Sequence, residues 1–219
     1  MIRKIIILGA TGNCIDILDT IKAINNISLS PRFKCIGFLD DDAEKWGKII
    51  FKVPVLGGID LAKKYEGTFF INGIGNPSTF HLKKEIIACT NIPIERFQTI
   101  IHPTASVSPS ATLGNGVVIF QNATVTTNVI IKNHVIILPN TVISHDCIIG
   151  EYTSIAGGVI VSGNVTVGES CYLGANSSII QGAAIGNQCL IGMGSVVLED
   201  VSDNSVVVGN PAKFLRSTA

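Results

Sequence analysis

Two adjacent residues, His145 and Asp146, hold the most direct chemistry in the sequence. An imidazole can take a proton from a reacting group near neutral pH, and a neighbouring carboxylate can orient the ring and stabilise its charged form. The pair works only if both side chains reach the same side. Successive side chains on a straight strand point to opposite faces, whereas at a corner both can turn outward. The competing reading is an ordinary exposed histidine. A second set of residues suits anion and sugar recognition: Gly9, Thr11 and Gly12 with Asn13, then Asp40 and Asp41, then Gly75 and Asn76. Backbone N–H groups where a glycine turn opens a helix can hold a phosphate. An aspartate can accept from a ribose hydroxyl or a base N–H. Each of these signals is weak alone, since short glycine turns are often mere connections and aspartate runs are often solvated loops.

The elements that must position these residues fall into two kinds. From Val107 to Val197 every sixth residue is Val, Ile or Leu, sixteen times in succession, and the residue four further on is always small, from Ala111 to Val201. A period of six fits neither a helical stripe nor simple strand alternation. The small residue and the next anchor are two apart, so on a short strand they face inward together. The residues after each anchor must then turn the chain, and the frequent glycine directly after it (Gly114, Gly150, Gly174) is expected to supply unusual backbone angles there. Short strand, corner, short strand is the unit of a solenoid. His145 and Asp146 occupy the corner after Ile143. Before the repeat, apolar runs at Lys4–Leu8, Cys35–Leu39, Thr68–Ile74 and Phe97–Ile101 alternate with helical patterns, which predicts a small parallel α/β sheet. The glycine turn, the aspartates and Gly75-Asn76 all lie at strand C-termini, where such domains bind ligands.

The repeat resembles that of the hexapeptide-repeat acyltransferases, and the resemblance implies a left-handed parallel β-helix with 18 residues per triangular coil over residues 104 to 201. That coil length would stack Gly163 beside His145, leaving a backbone N–H approachable next to a base. Acyl transfer needs that pair: a base for the acceptor's proton and a donor for the developing thioester oxyanion. His134 would have Gly116 and Tyr152 as its one-coil neighbours and reads as a surface or subunit contact.

Across the whole chain the resemblance becomes closer. The segment Ile143-Ser144-His145-Asp146, the turn Gly9-Ala10-Thr11-Gly12, the run Phe38-Leu39-Asp40-Asp41, the junction Ile101-His102-Pro103 and the closing Val208-Gly209-Asn210-Pro211-Ala212-Lys213 are similar to the sialic acid O-acetyltransferase-like group. This group includes bacterial nucleotide-4-amino-sugar N-acetyltransferases. The resemblance implies a homotrimer, acetyl-CoA as donor, a nucleotide-sugar acceptor and active sites between subunits. It makes His145 the general base, Asp146 its partner and Gly163 N–H the acetyl contact, with Ala175, Met193, Pro211 and Lys213 lining the CoA groove. Relatives commonly carry His where this chain has Asn13, which can donate but not titrate.

The expected division is 1–103 for an α/β nucleotide-sugar-binding domain and 104–219 for the solenoid and its tail. Lys+Arg and Asp+Glu both number 16, so no net field favours nucleic acid or a membrane surface. No run approaches the roughly 18 apolar residues of a membrane span, and the apolar start is too short for a signal peptide. A cytoplasmic protein is expected. Cys147, Cys171 and Cys189 fall in the inward small column, hence core thiols, and no cysteine shows metal-ligand spacing. Metal-dependent hydration on such a solenoid needs about three histidine ligands, and the repeat holds only His134 and His145, so no metal is expected. O-acetylation of a sialic-acid-like sugar uses the same base, and a non-catalytic trimeric scaffold is the remaining reading.

Overall fold

A computed structural model describes residues 2–218. The strand Arg3–Leu8 (β1) buries its last four residues, and it lies in the centre of a three-stranded parallel sheet between Phe33–Leu39 (β2) and Phe69–Asn72. The helix Gly12–Ile27 (α1) packs Cys14, Ile17, Leu18, Ile21 and Ile24 against this sheet, a spacing that keeps one helical face apolar. A short 3-10 turn at Phe80–Leu82 leads into the helix Lys83–Cys89 (α2). The expected fourth strand differs. Phe97 makes only a single bridge to Phe70, while Ile100–Ile101 pairs with Val118–Ile119 as the first rung of the solenoid.

Each hexad contributes one two-residue strand. Rungs pair residues 18 apart, as in Thr124–Val142, Ile130–Ile148 and Ile136–Ser154, and the three faces are sheets of six, five and eight strands, parallel throughout except for the antiparallel tail strand Lys213–Ser217 at the end of the eight. The anchors and the small column fill the interior as one continuous cluster. Several polar members of that column donate to carbonyls of the following coil: Thr141 to Ala156 O at 2.9 Å and the Cys147 thiol to Ser162 O at 3.0 Å, while Ser177 Oγ is buried without a partner among the described residues. The three column cysteines are buried and free, as their positions predict.

The corners work differently from the expectation. Through the middle coils the left-handed residue is the fourth of the hexad, with φ between 58° and 62° at Asn122, Asn128, His134, Asn140, Asp146 and Tyr152. Asn and Asp tolerate this region better than most side chains. The glycine directly after the anchor has no such angle. At Gly174 a Cβ would lie 2.6 Å from Ile191 O, so glycine is needed there because the next coil passes too close.

The α/β part docks on the eight-stranded face. Ile100, Val118, Phe120 and Ile136 share a core with Ile5, Ile7 and Phe38, and the fully buried Lys83 donates to Ser154 Oγ at 3.2 Å across the seam. Among the described residues no helix is long and apolar enough to cross a membrane.

Candidate active site

His145 and Asp146 form the turn between the six-stranded and five-stranded faces, and both side chains are about half exposed, at 50% and 46%. Their backbones are fixed by the coils on either side: Asp146 N–H donates to Thr127 O at 3.0 Å, and His145 O accepts from Asn164 N–H at 2.9 Å. His145 Nδ1 lies 2.8 Å from Asp146 Oδ2. This contact holds the Asp146 carboxyl below its usual range, helped by a hydrogen bond from Asn128. A carboxylate can only accept here, so Nδ1 carries the proton in the neutral ring and Nε2 is left with a free lone pair.

The free edge of the ring lies against Gly163. A Cβ built there would stand 2.6 Å from His145 Cε1 and 2.7 Å from Nε2. Among the described residues the Gly163 N–H has no acceptor. Its counterparts on other corners, Asn115 and Glu169, donate to Asn133 Oδ1 and Asn187 Oδ1, each at 2.9 Å. A base and an unused backbone donor therefore sit side by side, as the coil length predicts.

His134 is placed otherwise than expected. It is 1% exposed, stacked on Tyr152 at 5.1 Å and met edge-on by Phe97 at 4.5 Å. Burial, with Lys83 adding to it, pushes its pKa down to about 3. The docked α/β part covers this corner, so the imidazole works as a core aromatic and not as a surface contact.

The strand C-termini of the α/β part converge on a cavity of about 230 Å³ lined by Gly9, Thr11, Asn13, Asp40, Asp41, Gly75 and Asn76, together with Cys14, Asp42 and Ile86. Gly9 has φ of +93°, and a Cβ there would meet Cys14 Sγ at 2.8 Å. Gly12 opens α1, and the amides of Gly12 and Asn13 are first-turn amides without intrahelical acceptors. Asp40 is already occupied: its carboxylate accepts from Ala10 N–H at 2.8 Å, Asp42 N–H at 2.9 Å and Lys45 Nζ at 3.1 Å. Asp41 uses one oxygen on Ile59 N–H at 2.8 Å. Asn76 folds its side chain onto Ser78 and Thr79 N–H. Cys14 also lines the cavity, and burial raises its thiol to about 11, which keeps it in the neutral form near pH 7.

Of the residues expected in the CoA groove, Ala175 and Met193 lie on the other edge of the six-stranded face, whereas Lys213 reaches Glu199 on the corner that also carries His145. Ala175 O accepts from Gly194 N–H at 2.8 Å, Met193 is 81% exposed, and Gly209, two residues before Pro211, caps the same column through Val196 N–H at 3.0 Å. Lys213 is exposed and lies 3.9 Å from Glu199. The α/β cavity opens beside a different face, and His145 is not among its lining residues.

Stacked hexads bearing a corner base and an adjacent free backbone donor define an acyltransferase of the hexapeptide-repeat class. Residues 4–86 match the family described as PglD N-terminal domain, 128–163 that described as bacterial transferase hexapeptide (six repeats), and 164–199 that described as hexapeptide repeat of succinyl-transferase. The chain thus joins a stretch matching the PglD N-terminal domain to hexapeptide repeats of the bacterial-transferase type. It is similar to the acetyltransferase domain of PglB from Neisseria gonorrhoeae FA1090, with 26% identity over 97% of this chain and 100% of that one and a TM-score of 0.83. The same domain in complex with acetyl coenzyme A is 25% identical, over 98% of this chain and 100% of that one, with a TM-score of 0.83. PerB from Caulobacter crescentus, in complex with CoA and GDP-perosamine, shares the fold at 24% identity, over 99% of each chain, with a TM-score of 0.83. No curated protein matches the chain.

Proposed function

We propose that the protein transfers the acetyl group of acetyl-CoA to the 4-amino group of a nucleotide-linked deoxysugar, in the cytoplasm, as a homotrimer with active sites between subunits. The observation that carries this reading is His145, tied through Nδ1 to Asp146 at 2.8 Å with its other nitrogen against the unpartnered Gly163 N–H. The matched families, and the similar structures that hold acetyl coenzyme A in one case and CoA with GDP-perosamine in another, support the donor and the acceptor class.

The roles follow from the geometry. The amine attacks the thioester carbonyl as a free base, and His145 Nε2 takes the proton released as the C–N bond forms. Gly163 N–H donates to the oxyanion, which collapses with cleavage of the C–S bond. The departing CoA thiolate receives a proton from the imidazolium. Positioning amine and thioester together supplies much of the rate. In the α/β cavity the only charged lining residues are Asp40, Asp41 and Asp42. Phosphates there fall to the first-turn amides of α1, and Asp41 is the carboxylate with an oxygen to spare for a ribose or base donor. Because cavity and base occupy different faces of one chain, a neighbouring copy brings them together. Ala175, Met193 and Pro211 form the donor-side edge, with Lys213 beside a CoA phosphate.

The test is a thiol-release screen with acetyl-CoA against UDP-, GDP- and dTDP-linked 4-amino sugars and their hydroxyl counterparts. Saturable release with an amino sugar, giving a product stable to mild alkali, is the expected result. Release with the hydroxyl sugars alone overturns the assignment.

A further inference from the structure

We propose that Asn128 is a positioning residue for His145, acting through Asp146; this deepens the acyl-transfer reading and rests on it. Asn128 stands one coil before Asp146 and donates through Nδ2 to Asp146 Oδ1 at 3.2 Å, while Asp146 Oδ2 faces His145 Nδ1 at 2.8 Å. Each carboxylate oxygen thus has one fixed partner. The Asp146 backbone is already clamped to the coil before it, so the remaining freedom lies in its side-chain torsions. A half-exposed carboxylate with a single partner turns freely. The second bond fixes the plane in which it meets the imidazole.

Asn128 is itself anchored. Its N–H donates to Ser110 Oγ at 3.1 Å, and Ser110 Oγ lies 3.0 Å from Ser108 Oγ. Its φ of 58° is the left-handed angle shared by the corners on either side of it, at Asn122, His134 and Asp146. The rigid coil therefore reaches the base through a line of short polar contacts: Ser110, Asn128, Asp146, His145. At its end the Nδ1–H tautomer is favoured and Nε2 stays bare beside Gly163.

The same device without a histidine exists on the next corner. Asn133 Nδ2 donates to Glu151 Oε1 at 2.8 Å, again one coil apart. If such rungs only staple corners, removing either amide costs stability and leaves kcat unchanged.

The experiment compares Asn128→Ala and Asn128→Asp with Asn133→Ala in the full chain. Both alanine variants are expected to lower the thermal midpoint, Asn133→Ala because Asn115 N–H also loses its acceptor and Asn128→Ala because alanine is strained at φ of 58°. Both Asn128 variants are expected to lose roughly tenfold in kcat with KM for donor and acceptor nearly unchanged, while Asn133→Ala keeps kcat. In an Asp146→Ala background Asn128→Ala is expected to cost nothing more. Nitrogen NMR of labelled histidine, which needs no substrate, is expected to report the Nδ1–H tautomer of His145 in the wild type and a mixture in Asn128→Ala. A wild-type tautomer and kcat in Asn128→Ala, or an undiminished loss in the Asp146→Ala background, overturns the proposal. Turnover retained in His145→Ala sinks the base assignment itself; turnover abolished there but intact in Asn128→Ala sinks only the positioning role.

Discussion

His134 and His145 sit on two corners of one solenoid, each with a glycine one coil away, and they have opposite fates. Gly116 lies beside His134, and a Cβ there would meet the ring at 2.9 Å and Phe97 Cβ at 3.1 Å. Gly163 lies beside His145, whose ring covers it, so both glycines are buried. The same repeat, with the same absent side chain, supports a buried ring in one place and a half-exposed one in the other. Two things differ: His134 is the left-handed fourth residue of its hexad and His145 the third, and the α/β part seals the first corner while leaving the second open. The solenoid supplies the corners; hexad position and what is docked on them decide which side chain stays open to react.

The largest effect that separates the two corners is catalytic. His145→Ala is expected to lower kcat by roughly 10²–10⁴, the range for losing a general base, with little change in thermal midpoint because the ring is half exposed. His134→Ala is expected to do the reverse, losing about 2–4 kcal/mol by emptying the space between Phe97 and Tyr152 while kcat per folded enzyme holds. Thiol release and thermal melts on both variants check the contrast. Near-wild-type turnover in His145→Ala would falsify the assignment of the base.

The covered corner should also announce itself through pH. His134 takes up a proton near pH 3 when folded but near its ordinary 6.5 when unfolded, so the unfolded chain holds more protons between those values. Stability must then fall as pH falls through that window, by roughly 3–5 kcal/mol at its lower end. Lys83, buried with only Ser154 Oγ as partner, is lowered to about 7 from 10.5. Its sign is the same: between pH 7 and 10.5 the unfolded chain again binds more protons, so stability rises with pH there, while below 7 the penalty is constant. Lys83→Met should raise the melting midpoint at neutral pH, by about 2–4 kcal/mol of stability, and flatten the rise above it. His134→Leu should flatten only the acid window. Urea titrations across both windows separate the two residues, and equal slopes in wild type and variants would show that neither titrates on unfolding.

A smaller effect distinguishes the two glycines. Gly163→Ala forces the His145 ring away from the place where acceptor and oxyanion meet, for an expected loss of about 10–100-fold in kcat at near-constant stability. Gly116→Ala places a side chain at φ of +67° against His134, and its cost should appear in the melt and leave turnover intact.

How much of this was legible follows from the same contrast. Wherever the step of 18 governs, residues could be placed from the chain alone: the inward cysteines, the open turn at His145, and Gly163 beside it. Asn128 was within reach of the same subtraction, but an amide has no titration to draw attention to it. The docked face has no such step. Val118, Phe120 and Ile136 look like ordinary outward strand residues, and nothing periodic says that Phe97 will close over His134. For the same reason Ile100–Ile101 reads as a strand of the first sheet when it begins the solenoid. Asp40 reads as a free ligand group because one partner, Ala10 N–H, comes from the turn after β1, 30 residues away, which only the folded sheet brings beside it, while Lys45 lies in its own loop.

The smallest effect lies at the tail, and it asks whether openness alone is enough to make a charge functional. Lys213 is exposed, like His145, but its only ionic neighbour is Glu199 at 3.9 Å, a distance at which a surface pair contributes little. If its role is to meet a CoA phosphate, Lys213→Ala should weaken acetyl-CoA binding by roughly threefold at low ionic strength, and the difference should vanish near ~0.5 M salt, where screening is short. Calorimetry at two salt concentrations measures this directly. A loss that persists in high salt would mean that the lysine stem packs against the strand Ser205–Val208 instead. The tail would then belong with the covered corner, where position serves packing, and not with the open one.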